Sequence, residues 1–105
     1  MSIYTDAQEI IHSALEACLP DQAVRRALEG KEFGSGRVFL VALGKAAWQM
    51  ARCAAELLGP RLERGVVVTK HGHSQGDIPR CQIFEGGHPV PDEGSFRGTR
   101  AAMEL

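Results

Sequence analysis

The first thirty residues alternate apolar and polar positions with a helical period. From Thr5 onward, apolar side chains recur every three or four residues, which predicts an amphipathic helix. Thr5 and Gln8 have the spacing of a capping box, so Thr5 is the predicted N-cap. This helix should end before Pro20, because the residue preceding a proline avoids the helical region. A second, shorter helix is predicted between an Asp21 cap and a stop at Gly30.

The pattern changes to that of a buried strand after a polar, glycine-bearing loop at 31–36. Residues 38–43 form a continuous apolar run rich in β-forming side chains, which is typical of a strand covered on both faces. Gly44 interrupts the run, and residues 45–58 return to a helical period. Residues 65–69 predict a second buried strand. Strand, turn, helix and strand in this order indicate a right-handed βαβ unit.

The last third of the chain predicts a short third strand near residues 82–84 and a final helix from about Asp92. No helical pattern occurs between the second and third strands, so we expect an open loop to make a parallel connection there. The fold class is therefore α/β, with a Rossmann-like βαβ unit and a mostly parallel sheet. The two leading helices should cover one face of the sheet or pack at its end. With so few strands, we expect an incomplete N-terminal part of a larger domain.

Composition narrows the function classes. With 105 residues, 44% of them hydrophobic and 24% charged, the chain has the profile of one small globular domain. A net charge of -1 provides no broad basic field, so neither nucleic acid nor an anionic membrane is an expected partner. Three cysteines without a C-x-x-C pair favour free thiols in a reducing compartment. No secretion signal or long apolar run is present, so a cytoplasmic location is the expectation.

The turn at Gly44 and Lys45 is the most informative candidate for chemistry. It places a lysine in the predicted first turn of a helix, directly after a buried strand. Backbone N–H groups and the helix dipole favour an anion at such a place, whereas the lysine charge opposes the dipole. The segment is not a P-loop, because Phe39 and Ala46 stand where that motif needs glycine and serine or threonine. A phosphate-binding lysine and a merely solvated lysine are about equally consistent with this spacing.

A second candidate follows the next strand, at Thr69, Lys70, His71, Gly72 and His73. Ligands of open α/β sheets collect at the carboxyl ends of the strands, so this segment should lie near the Gly44 turn. The threonine and the lysine suit a phosphate or a carboxylate. An H-x-H pair without a third ligand is a weak metal signal, so no metal site is predicted on this chain.

The third candidate is the loop after the third strand, which contains Gly87, His88 and Asp92 together with two prolines. Glycine and proline give such a loop a rigid, unusual shape, and it should open at the same sheet edge. His88 suits acid–base work or a hydrogen bond to a carboxylate. Asp92 is favoured as the cap of the last helix over a catalytic role.

In this order, the three segments resemble the glycerate 2-kinase family whose second domain is called MOFRL. The resemblance covers almost the whole chain, including the opening helices with Asp21 ahead of Val24 and Leu28. Members of that family are several times longer, so we expect residues 1–105 to be part of the N-terminal α/β domain, without the C-terminal domain.

The resemblance implies transfer of a phosphoryl group from ATP, with Mg²⁺, to the 2-hydroxyl of D-glycerate. It implies that Lys45 contacts the substrate or the transferring phosphate, as the catalytic residue of this chain. The loops at 70–73 and 87–92 would contribute to the same cleft. A chain limited to this part should be inactive alone.

Two other classes of function remain open. Sequences of this kind also resemble proteins labelled hydroxypyruvate reductase, which would use NAD(P)H. Against this class, no G-x-G-x-x-G follows the first strand. The third class is a non-catalytic, self-associating fragment, in which an exposed sheet edge and uncovered apolar faces favour a homo-oligomer.

Overall fold

A computed structural model of the chain describes residues 2–105. Its three strands form one parallel sheet in the order β1-β2-β3. A short 3₁₀ turn, Gly59–Arg61, precedes β2, and an open loop joins β2 to β3, as predicted. The α/β fold with a parallel sheet is thereby confirmed. The elements in chain order are α1 Ile3–Ala17, α2 Pro20–Leu28, β1 Val38–Leu43, α3 Ala47–Leu58, β2 Leu62–Lys70, β3 Cys81–Gly86 and α4 Glu93–Met103.

The central strand β2 carries the core. Val66 and Val67 are both fully buried on its opposite faces. On one face, Val67 packs against Trp48 of α3. On the other face lies α4, where a Cβ added to Gly98 would come within 2.5 Å of the Val68 side chain. Only glycine permits this approach of α4 to the sheet, and β2 is covered on both sides as predicted.

Strand β1 is covered on one face only, so the prediction of a strand buried on both faces was wrong. Leu40 faces the core cluster beneath α3, but its neighbours Phe39 and Val41 are exposed on the opposite face. The reason is that α4 packs over β3 and β2 and does not extend over β1. The apolar run predicts burial on both faces, but it does not specify which element provides the cover.

The two leading helices behave differently. Helix α2 packs through Val24 against Cys53 and Ala54 of α3, and it belongs to the core as expected. None of the fifteen residues of α1, all within the described part of the chain, is buried. The radius of gyration is 16.6 Å, compared with ~13 Å for a compact chain of this length. Helix α1 therefore projects from the sheet instead of covering it.

Three predicted helix starts were wrong. Helix α1 begins one turn earlier than predicted, because the Ser2 side chain accepts a hydrogen bond from the Thr5 amide and acts as the cap. Asp21 lies inside the first turn of α2, after Pro20, and its carboxylate pairs with Arg52 at 3.1 Å. Helix α3 begins at Ala47, two residues later than predicted.

Strand β2 runs from Leu62 to Lys70, longer at both ends than the predicted 65–69, and β3 is longer than predicted as well. Cys18, Cys53 and Cys81 are free thiols. Within residues 2–105, no helix has the length and apolar character needed to cross a membrane.

Candidate active site at the carboxyl edge of the sheet

All three candidate segments lie at one edge of the sheet. The strands are parallel and in close register, with Leu43 opposite Val68 and Lys70 opposite Gly86. The loops that follow β1, β2 and β3 therefore leave the sheet on the same side. Side-chain contacts between these loops, described below, confirm the predicted meeting of the three segments.

The turn after β1 has a left-handed backbone at Gly44, where φ is +117°. Its amide donates to the Val68 carbonyl at 2.9 Å, which ties the turn to β2. Lys45 is exposed and precedes the first helical residue, Ala47. Since Lys45 lies outside the helix, its predicted place within the first turn was wrong. Within residues 2–105, no side chain caps the start of α3. The Ala47 amide donates to the Gly44 carbonyl at 3.1 Å, and the N–H groups that follow it in the first turn remain available to a ligand.

The backbone carbonyl of Lys45 accepts two hydrogen bonds from the second segment. The Thr69 hydroxyl donates to it at 3.2 Å, and the His73 Nδ1 atom lies 3.2 Å away. Thr69 is only 3% exposed and its hydroxyl is engaged here, so it anchors the turn and does not face a ligand. Together the two donors fix the backbone from which the Lys45 side chain extends.

A pocket of about 360 Å³ opens beside this turn. Trp48 lines it, and its indole N–H donates to the Gly76 carbonyl at 2.9 Å. The pocket combines one cation with amide and imidazole groups, which suits a small polar anion. Its lining residues are Lys45, Trp48, Gln49, Gly72, His73 and Gln75.

The carboxylate of Glu85 shapes the loop that forms one side of the pocket. It accepts hydrogen bonds from the amides of Gly72 and Ser74, both at 3.0 Å. The Gly72 amide is therefore occupied within the protein. Sequence reasoning gave Glu85 no role of its own. Its position at the end of β3, directly opposite Thr69 in the register, explains why it reaches this loop.

A His–Asp pair joins the second and third loops. The His71 Nε2 atom lies 2.7 Å from the Asp92 carboxylate, and both side chains are roughly half exposed. Asp92 also caps α4, accepting from the Gly94 and Ser95 amides, as predicted. The pKa of Asp92 is lowered to about 2, first because of the hydrogen bond from His71 and then because of the backbone N–H of Gly87. The sequence indicated the cap but not the histidine partner.

The remaining candidate residues have less specific surroundings. Lys70 is half buried at the end of β2, and its carbonyl accepts from the His73 amide at 3.0 Å. His88 is exposed on the loop after β3. Gly87 is held close to Asp92, where a Cβ would collide with the Val90 carbonyl.

Residues 2–105 do not form a metal centre among their own side chains. Across residues 2–105, no three His, Cys, Asp or Glu side chains come together in a way that holds a metal ion. The two histidines of the H-x-H pair have separate partners, since His71 faces Asp92 and His73 faces the Lys45 carbonyl.

Comparison with known proteins places this architecture in a family. Residues 6–105 match a family described as a domain of unknown function, DUF4147. The chain is 50% identical to the D-glycerate 2-kinase of Thermotoga maritima over 99 residues, which cover 94% of this chain and 23% of that protein. It is 36% identical to the glycerate 2-kinase of Pyrococcus horikoshii over 115 residues, which cover 100% of this chain and 26% of that protein.

The fold agrees with these relatives. The crystal structure of the glycerate kinase of Thermotoga maritima matches 94% of this chain with a TM-score of 0.85, at 50% identity. That match covers 23% of the crystallised chain. The chain therefore spans about a quarter of the length of the relatives that it matches.

Proposed function

Because the chain belongs to the DUF4147 family and corresponds to the N-terminal portion of glycerate 2-kinases, we propose that it serves ATP-dependent phosphorylation of D-glycerate to 2-phosphoglycerate. The proposed activity belongs to a longer protein, of which these residues form part of the N-terminal α/β domain. The observation that carries the proposal is the fixed turn at Lys45 beside an open polar pocket.

The chemistry of phosphoryl transfer fits this turn. Catalysis of that reaction depends on positioning the reactants and on stabilising charge that spreads over the phosphoryl oxygens. The Lys45 ammonium provides a positive charge, and among residues 2–105 it takes part in no ion pair that would neutralise it. The uncapped N–H groups of α3 add partial positive charge next to it. ATP, when bound, supplies the phosphoryl group that this arrangement is suited to hold.

The neighbouring residues support the turn in different ways. Gly44 gives the turn its left-handed backbone, and Thr69 anchors the Lys45 carbonyl. We assign Lys70 and Gly72 to the side of the cleft that follows β2. His71 and Asp92 join this side to the loop that bears Gly87 and His88. Mg²⁺ would be shared between the nucleotide phosphates and one or two carboxylates, the usual arrangement of this ion at nucleotide sites.

A chimera tests the proposal directly. Residues 6–105 of this chain would replace the matching part of the Thermotoga maritima D-glycerate 2-kinase, which is 50% identical. We expect the folded chimera to release ADP only when D-glycerate is present. A folded chimera without this activity would contradict the proposal. Loss of NADH in the presence of hydroxypyruvate would favour a reductase instead.

Lys45→Ala is the first variant to examine in the chimera. Removing the charge should lower kcat/KM by about 100- to 1000-fold, because a group that stabilises transition-state charge is lost. Since Lys45 is exposed, its removal should leave the melting temperature nearly unchanged. Lys31→Ala, in the loop after α2, is the matched control and should retain activity. Unchanged kinetics of Lys45→Ala would remove this residue from the mechanism.

The 105-residue chain provides a second test that does not depend on the folding of the chimera. Titration with millimolar D-glycerate or inorganic phosphate should shift the backbone amide signals of residues 44–49 in ¹⁵N spectra. Lys45→Ala should abolish these shifts. Shifts of equal size in the variant would show that the anion binds elsewhere.

A further inference from the structure

His73 lies in the candidate site but has no role in the proposal above. Its side chain is half buried and lines the pocket together with Lys45 and Gln49. Its Nδ1 atom lies 3.2 Å from the Lys45 carbonyl oxygen. A carbonyl oxygen only accepts hydrogen bonds, so Nδ1 must carry the hydrogen. In the neutral ring, the lone pair is therefore on Nε2.

The surroundings hold the ring in this orientation. The His73 amide donates to the Lys70 carbonyl at 3.0 Å, which fixes the backbone. The Lys45 carbonyl is itself fixed by the Thr69 hydroxyl, so the hydrogen-bond partner of Nδ1 does not move freely. Because the two ring nitrogens diverge, Nε2 is directed away from this carbonyl. His73 and Lys45 line the same pocket, so a basic ring nitrogen and an ammonium belong to side chains that border it.

Resting on the proposed kinase function, we propose that His73 is a catalytic base that accepts the proton of the attacking substrate hydroxyl through Nε2. The hydroxyl O–H bond breaks and the proton passes to Nε2, while the electron pair remains on oxygen. That oxygen forms the new bond to the γ-phosphorus of ATP. The bond from this phosphorus to the bridging oxygen breaks, and its electron pair leaves with ADP. The imidazolium then returns the proton to solvent.

The other basic groups of this edge are less suited to this step. The Nε2 atom of His71 is engaged by Asp92. The carboxylate of Asp92 is a weak proton acceptor, because its pKa is lowered to about 2. The carboxylate of Glu85 is occupied by two backbone amides. His88 is exposed on the loop after β3 and does not line the pocket. Among these groups in the described residues, His73 combines a position on the pocket wall with an unengaged ring nitrogen.

The first test measures the tautomer and does not require enzyme activity. Ring ¹⁵N chemical shifts of His73 in the 105-residue chain, recorded where the imidazole is neutral, should show the hydrogen on Nδ1. This is the less common tautomer of a free histidine side chain, so the result is diagnostic. A ring with its hydrogen on Nε2 would overturn the assignment of His73 as the base, without affecting the proposed function.

The second test compares two variants in the chimera with the Thermotoga maritima enzyme. In His73→Asn, the amide N–H replaces Nδ1–H against the Lys45 carbonyl, but no Nε2 remains. We expect kcat to fall at least ~100-fold, with KM for ATP within about twofold of the unsubstituted chimera. His12→Asn, on the exposed helix α1, is the matched control and should retain full activity.

The outcomes separate the two proposals. A kcat of His73→Asn within about twofold of the control would overturn the catalytic role of His73 and leave the kinase proposal standing. A folded but inactive unsubstituted chimera would overturn the kinase function, and with it the role of His73. His73→Ala also loses the hydrogen bond to the Lys45 carbonyl. It should therefore be less active than His73→Asn if that hydrogen bond positions the turn.

Discussion

Apolar side chains are buried around β2 but exposed on α1 and on the outer face of β1. Around β2, Val66 and Val67 are fully buried between α3 on one face and α4 on the other. On α1 and the outer face of β1, side chains of the same type remain in water, as with Ile10 at 69% exposure and Val41 at 47%. The sequence pattern predicts apolar faces in both regions.

A hydrophobic pattern shows which surfaces of an element are apolar, but it does not show whether another element covers them. The pattern identifies which surfaces of an element are apolar: both faces of β1 and β2 from their continuous runs, and one stripe of α1 from its helical period. Burial also requires a second element to cover that face, and the covering element is specified elsewhere in the chain. Residues 2–105 provide that cover for β2 but not for α1 or for the outer face of β1.

The largest expected effect comes from a matched pair of valines. Val67→Ala should lower the free energy of unfolding by about 2–3 kcal/mol, from lost burial of two methyl groups and the resulting cavity. Val41→Ala should cost less than about 1 kcal/mol, because this side chain is already half exposed. Urea unfolding of the two variants measures the difference. Equal losses would mean that the outer face of β1 is covered in solution.

A pair of glycines tests the close packing of α4. Gly98→Ala should lower the free energy of unfolding by about 1–2 kcal/mol, because the new methyl group meets the Val68 side chain at 2.5 Å. This loss should occur although alanine normally favours a helix. Gly36→Ala, in the loop before β1, meets nothing within 4 Å and should change stability by less than about 0.5 kcal/mol. Stabilisation by Gly98→Ala would show that α4 packs more loosely.

The pair of His71 and Asp92 should make the stability of the fold depend on pH. The folded pKa of Asp92, about 2, is below the unfolded value of ~3.9, so ionised Asp92 stabilises the fold above pH ~4. This stabilisation should disappear as the pH falls towards about 2. The urea midpoint should therefore decrease over this interval.

Asp92→Asn should flatten that decrease while keeping the helix cap, since asparagine caps as well as aspartate. Ser95→Ala is the control, because it weakens the capping box but retains the carboxylate and its histidine partner. A midpoint curve that is the same in Asp92→Asn and in the unsubstituted chain would exclude Asp92 as the titrating group.

The smallest expected effect on stability belongs to α1. Changing Ile10 and Ile11 together to serine should alter the free energy of unfolding by less than about 1 kcal/mol, because both side chains are exposed. The same change should reduce self-association in sedimentation, if the apolar stripe of α1 joins copies of the chain. A large loss of stability would instead show that α1 folds back onto the sheet.

Much of the fold followed from the sequence because the signals were local. The cap at Asp92, the parallel strands and the open loop between β2 and β3 depend on neighbouring residues and on period. The errors at Thr5 and Asp21 arose where two residues competed for one role. Ser2 precedes Thr5 as a cap, and Pro20 already begins α2 ahead of Asp21.

The sequence predicted where the candidate site lies, but not the hydrogen bonds within it. Parallel strands bring their carboxyl ends together, so the meeting of Lys45 with the loop at 70–73 was foreseeable. The bond from His73 to the Lys45 carbonyl and the bond from His71 to Asp92 join residues 28 and 21 positions apart. No local pattern encodes which ring nitrogen meets which oxygen, since that depends on the register of three strands.

The placement of α3 and α4 on opposite faces also determines how the sheet can grow. Crossover connections between parallel strands are right-handed in nearly all proteins. The crossover through α3 lies on one face of the sheet and carries the chain from β1 to β2. A right-handed crossover through α4, on the other face, would run in the opposite direction and return the chain to the free edge of β1. That crossover would run across the outer face of β1 and cover Phe39 and Val41. The Gly44 turn would then lie at a topological switch point, where strand order reverses and open α/β sheets form their ligand crevice.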